Sequence, residues 1–182
     1  MLIIFEGLDG SGKTTFAKEL SKHSGIPYMK PMIYHKLWLL HQNIKGWDEP
    51  IIDLTVTDMA RILNCDIILD RSLLSVIIYQ IYHGKLSHLH AHDMLEYWVH
   101  SILPVDSVCY FMKRDLEKCK RTRINRFSPS SMGDINNLYN QWILELKTLG
   151  AQVEILKNIA GKTPQMQVEK IYKEASWNTI TT

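Results

Sequence analysis

The densest set of chemistry-bearing residues is Gly7-Leu8-Asp9-Gly10-Ser11-Gly12-Lys13-Thr14. It fits GxxxxGK[ST], a phosphate-cradling loop. Glycines let the backbone turn and aim its N–H groups inward. A helix opening near Lys13 adds its positive N-terminal end. In such a cradle Lys13 reaches the β- and γ-phosphates of a nucleoside triphosphate, and the Thr14 hydroxyl binds Mg²⁺. Gly7, Asp9, Gly10, Ser11, Gly12, Lys13, Thr14 and Thr15 are therefore the candidate ATP-binding residues.

Two further groups stand apart in the sequence. Asp70-Arg71 ends a short apolar run, Ile67-Ile68-Leu69. Residues 113–126 hold seven basic and two acidic side chains, while the rest of the chain holds 14 basic and 17 acidic. A cationic segment on a mildly acidic body suits phosphates.

The elements that position these groups follow from apolar runs and their spacing. Strands are expected over 2–5, 28–30, 66–70, 107–112 and 152–156. Helices are expected over 13–22, 34–43, 53–63, 72–82, 93–102, 136–149 and 164–175. Strands alternating with helices imply a parallel sheet covered on both faces. Ligands of such sheets bind beyond the strand C-termini. Residues 6–15, Asp70-Arg71 and 113–126 all fall there.

The chain of 182 residues suits one domain with its own core. Its 46% hydrophobic and 22% charged residues are an ordinary globular composition. No apolar run approaches the ~20 residues of a membrane span, and residues 1–6 do not form a signal peptide. Cys65, Cys109 and Cys119 are odd in number, with no CxxC, so a reduced, cytoplasmic setting is expected. His88, His90 and His92 alternate but are read as solvated loop residues. The five tryptophans are assigned to the core or a homodimer interface. No strand carries the paired aromatics of a single-strand nucleic-acid binder, and neither nucleic acid nor membrane is an expected partner.

The run Phe5-Glu6-Gly7-Leu8-Asp9-Gly10-Ser11-Gly12-Lys13-Thr14-Thr15 resembles the P-loop of thymidylate kinases and related deoxynucleotide kinases. Asp70-Arg71-Ser72-Leu73-Leu74-Ser75-Val76-Ile77-Ile78-Tyr79-Gln80 resembles that family's DR[YH]xxSxxAYQ segment. The arginines of the basic segment, at 121, 123 and 126, resemble the lid that closes over ATP. The resemblance spans nearly the whole chain. It implies a P-loop NTPase of α/β class, with a nucleoside-monophosphate-kinase-like five-stranded parallel sheet flanked by helices. It further implies a single domain over 1–182 with a lid at about 114–130. Two features differ from the family. Lys30-Pro31-Met32 stands where a REPGGT-like stretch is usual, and the region between strands two and three is short. Small viral deoxynucleotide kinases trim this region in the same way.

The resemblance implies Mg²⁺-dependent transfer of the ATP γ-phosphoryl group to a (deoxy)nucleoside monophosphate, dTMP-like. Lys13 and Asp70 are then catalytic. Asp70 holds Mg²⁺ with Thr14, through water, or orients the acceptor. Arg71 grips the acceptor phosphate bidentately. Asp9 accepts from the sugar 3′-hydroxyl. Glu6 orients acceptor or Mg²⁺, or forms a structural ion pair. Ser75 and Tyr79 share a helix face and, with Gln80, Arg61 and Tyr139, could line the acceptor pocket; core packing is open for Tyr79. Gly10 and Ser11 stand where some thymidylate kinases have an arginine, so Arg121, Arg123 or Arg126 must neutralise the transferred phosphoryl. Not all three can face one way on a helix. A deoxynucleoside kinase, with Glu6 as base, a kinase of a modified nucleotide, and a non-catalytic P-loop switch are the alternatives.

Overall fold

The computed structural model describes residues 1–30, 62, 64–113, 115–120, 129–157, 168–169 and 171. The helix expected over 34–43, and most of those over 53–63 and 164–175, lie outside them, as do Arg61, Arg114, Arg121, Arg123 and Arg126. The described elements are β1 (Leu2–Glu6), α1 (Lys13–Ser24), β2 (Tyr28–Met29), β3 (Ile67–Asp70), α2 (Leu73–Tyr82) and α3 (His88–Tyr97). They continue with β4 (Val108–Lys113), α4 (Leu116–Lys120), α5 (Pro129–Thr148) and β5 (Gln152–Lys157). No described helix is long and apolar enough to cross a membrane.

The five strands form one sheet in the order β2-β3-β1-β4-β5, and every pairing is parallel. β1 is central and wholly buried because apolar side chains leave both faces. Leu2 and Ile4 enter a core with α2, α3 and α5. Ile3 and Phe5 enter the opposite core with Phe16, Ala17 and Leu20 of α1, and with Val168 and Ile171. The register sets Phe5 beside Asp70 and Glu6 beside Phe111. The ends of β1, β3 and β4 thereby converge on one edge.

Three helix boundaries differ from expectation by two residues or more. α1 runs two residues further and stops at Gly25, which is left-handed at φ 76° and donates its N–H to the Ser21 carbonyl. α5 begins at Pro129, a residue suited to a first helical turn. α3 begins at His88 because the Ser87 hydroxyl accepts the His90 N–H. A π-helical turn, Trp98–Ile102, extends it. The alternating histidines are therefore helical, not loop residues. The His88 ring stacks on Trp142 and His92 Nε2 lies 3.0 Å from Glu145. Trp98 and Trp142 are buried, and no disulfide links the three cysteines.

Candidate active site

The cradle is built by three left-handed glycines. Gly7, Gly10 and Gly12 have φ of 135°, 77° and 100°, which a side chain would oppose. Gly7 also has no room, since a Cβ there would sit 2.8 Å from the Met112 carbonyl oxygen of β4. The Ser11 N–H donates to the Leu8 carbonyl at 3.1 Å and closes the turn. Inside it, Lys13 is buried and its ammonium donates to the Leu8 carbonyl at 2.6 Å and to Ser11 Oγ at 3.3 Å. Burial, reinforced by nearby Arg71, lowers its pKa to about 7 against the pull of Asp9, Asp70 and Glu6. Thr15 is exposed on the first turn of α1.

Asp70, at the end of β3, is fully buried. Its Oδ2 accepts from Thr14 Oγ1 at 2.5 Å and from the Tyr28 hydroxyl at 3.2 Å, and lies 3.3 Å from Lys30 Nζ. Burial alone would raise its pKa. The Thr14 hydroxyl and the cations of Lys30, Lys13 and Arg71 outweigh burial and hold the carboxyl below its ordinary value. Asp70 Oδ1 is buried with no hydrogen-bond partner among the described residues. An orphaned carboxylate oxygen beside a hydroxyl, in a phosphate cradle, is a donor set for a hard cation that binds oxygen. Thr14 and Asp70 fit Mg²⁺. Ser72 carries the N-cap instead, accepting from the Leu74 N–H.

Arg71 follows in a left-handed conformation, φ 83°, rare for a residue with a Cβ. Its N–H continues the β1–β3 pairing onto the Phe5 carbonyl at 2.9 Å. Its guanidinium is buried. Nη1 donates to Ser75 Oγ at 2.9 Å and to the Tyr139 hydroxyl at 2.7 Å, while Nη2 pairs with the Asp9 carboxylate. The Tyr79 ring lies beneath, 5.5 Å from Cζ. Burial opposes the charge, but Tyr139, Tyr79, Asp9 and Glu6 outweigh it, so Arg71 stays protonated.

Ser75 and Tyr79 thus face Arg71 together, as their i, i+4 spacing on α2 implied. Gln80 is half-buried in the last turn, its carbonyl accepting from the Lys85 and Leu86 N–H groups. Glu6 differs from expectation. It is wholly buried, with Oε1 accepting from the Ser72 N–H and hydroxyl at 2.7 Å each and Oε2 from Ser75 Oγ at 2.5 Å. With three donors and no exposed atom, it is an anchor for the Arg71–Ser75 turn, held by hydrogen bonds. The reason is register: Glu6 ends the central strand, where β3 and α2 close over it. Tyr139 is likewise fully buried and lines no open pocket. Lys30 was not singled out as a site residue from the sequence. Its place one residue past β2, parallel to β3, was the available signal.

No family model matches the chain. It is 41% identical over 81 residues to a protein of Acidianus bottle-shaped virus (isolate Italy/Pozzuoli) named "Putative thymidylate kinase". The match covers 43% of this chain, which spans about half (47%) of that relative. Among solved structures, deoxyadenosine kinase from M. mycoides with dCMP and a flexible dCDP bound superposes with a TM-score of 0.65 at 18% identity, covering 96% of this chain and 98% of that one. Thymidylate kinase from Candida albicans gives 0.64 at 20% identity, covering 97% and 91%. The fold is that of the P-loop nucleoside and nucleotide kinases, an α/β sheet of five parallel strands flanked by helices, and the chain resembles thymidylate kinase in sequence.

Proposed function

We propose that the protein transfers the γ-phosphoryl group of ATP to a (deoxy)nucleoside monophosphate, thymidylate-like, in a Mg²⁺-dependent reaction. The observation that carries this reading is Arg71. A guanidinium buried beside the phosphate cradle, gripped on one side and meeting a carboxylate on the other, is built to receive an anion. The acceptor's own phosphate is that anion.

Phosphoryl transfer asks for positioning and charge neutralisation more than covalent chemistry. The backbone N–H groups of Gly12–Thr14 hold the donor phosphates, and Lys13 releases the Leu8 carbonyl to meet the β- and γ-oxygens. Thr14 and Asp70 would hold Mg²⁺, which would neutralise charge on the donor phosphates. Arg71 orients the acceptor, and Asp9 turns from Arg71 toward the sugar 3′-hydroxyl. At least one of Arg121, Arg123 and Arg126 supplies the remaining positive charge.

A deoxynucleoside kinase instead requires a carboxylate free to take a proton from a 5′-hydroxyl. Glu6, the sequence's candidate for that base, has both oxygens occupied, which favours the monophosphate reading. The test is ADP release from ATP and Mg²⁺ against a panel of nucleosides and nucleoside monophosphates. Turnover with at least one pyrimidine deoxynucleoside monophosphate, and none with nucleosides, is expected. Turnover with nucleosides alone overturns the reading.

A further inference from the structure

Tyr139 lies on α5, 68 residues from Arg71, and its hydroxyl meets both Arg71 and Ser75. Its ring is stacked on Phe111, centroids 5.9 Å apart, so the hydroxyl has little freedom. The hydrogens of this cluster can be assigned from donors and acceptors alone. Arg71 Nη1 only donates, and its two hydrogens go to Ser75 Oγ and to the Tyr139 oxygen. The Glu6 carboxylate only accepts, so the single Ser75 hydroxyl hydrogen goes to Oε2 at 2.5 Å. The 2.8 Å contact between Tyr139 and Ser75 then has Tyr139 as donor. Each hydrogen on Nη1, Ser75 Oγ and the Tyr139 hydroxyl then has one acceptor, and this part of the network has one orientation.

Its output is the attitude of one guanidinium. Glu6 binds the Ser72 N–H and hydroxyl, and so clamps the backbone next to the left-handed Arg71. Tyr139 and Ser75 together consume Nη1. Nη2 faces an anion, the Asp9 carboxylate.

We propose that Tyr139 is a positioning residue. Its hydroxyl, with Ser75 and Glu6 behind it, fixes the Nη1 side of Arg71 so that the Nη2 side is presented to the acceptor phosphate. The identity of that anion rests on the function proposed above; the fixing of the guanidinium does not.

Tyr139→Phe removes the hydroxyl and keeps the stacked ring. The first readout is nitrogen-15 NMR of the arginine Nη groups, with the Arg71 signals assigned by their loss in Arg71→Lys. Wild type should give separate, slowly exchanging Nη1 and Nη2 signals, and Tyr139→Phe should merge them. The second is a double-mutant cycle with dTMP as acceptor. Tyr139→Phe should lower kcat/KM for dTMP by about 10- to 100-fold with the ATP KM unchanged. It should have no further effect in an Arg71→Ala background. Unchanged Nη exchange, or an equal loss in both backgrounds, overturns the proposal. If wild type turns over no monophosphate, the acceptor assignment fails, and the NMR readout still decides the positioning role. Ser75→Ala serves as the second variant should Tyr139→Phe not fold, with the same merging of signals expected.

Discussion

Thr14 Oγ1 donates to Asp70 Oδ2 at 2.5 Å across 56 residues of sequence, tying the first turn of α1 to the end of β3. The bond leaves Asp70 Oδ1 buried without a partner among the described residues. A hydroxyl and a carboxylate held together at the end of the sheet would supply half of the Mg²⁺ site proposed above.

Asp70→Asn keeps the shape and removes the charge. We expect kcat to fall at least about 100-fold, with the Mg²⁺ concentration for half-maximal rate rising well above that of wild type. Thr14→Ser, which retains the hydroxyl, should stay close to wild type. A metal titration of initial rates checks both. An unshifted Mg²⁺ dependence in Asp70→Asn would remove Asp70 from the metal site.

Lys13 should make the proposed ATP binding proton-linked. Its pKa of about 7 in the protein without nucleotide should rise when phosphates surround the ammonium. Calorimetry in buffers of different ionisation enthalpy should therefore show proton uptake approaching one per ATP at pH 8 and little at pH 6. The same shift has a stability sign. Between about 7 and the ordinary 10.5 the unfolded chain binds more protons at this lysine, so its contribution makes the nucleotide-free protein more stable as pH rises. Lys13→Ala should abolish both linkages and cost about 3 kcal/mol or more in transition-state stabilisation while remaining folded.

Two glycine-to-alanine changes should have opposite signs. In Gly7→Ala the new Cβ meets the Met112 carbonyl at 2.8 Å in a left-handed backbone, so the loop or β4 must shift. A loss of at least ~1–3 kcal/mol and weakened nucleotide binding are expected. In Gly133→Ala, within α5, a Cβ meets nothing within 4 Å. A gain of about 0.5–1 kcal/mol is expected from helix propensity. Thermal melts of the two variants decide it.

Arg71→Lys keeps a positive charge and loses the planar fork. Lysine cannot serve Ser75, Tyr139 and an anion in the same geometry, so kcat/KM for the acceptor should fall by about 100-fold while the ATP KM holds. Steady-state kinetics varying each substrate in turn measures the split. Near-wild-type activity in Arg71→Lys would mean that charge alone suffices at this position.

The phosphate cradle, the alternation of strands and helices, and the pairing of Ser75 with Tyr79 were legible in the sequence. Each depends on neighbours within a few residues: glycines where φ must be positive, apolar runs that must be buried, side chains one helical turn apart. The start of α3 was misread because one capping hydroxyl, at Ser87, outweighed weak local preferences. Which partners Glu6, Arg71 and Tyr139 take was not legible. The sequence offered Glu6 as an orienting carboxylate or a structural ion pair, Arg71 as a grip on the acceptor phosphate, and Tyr139 as part of a pocket wall. Their roles come from contacts spanning 64 to 69 residues, which exist only once β1, β3, α2 and α5 are packed together. A buried carboxylate, two hydroxyls and a guanidinium must satisfy one another there because water cannot reach them. Local sequence determined which residues could bind phosphate; packing decided which hold Arg71 in place.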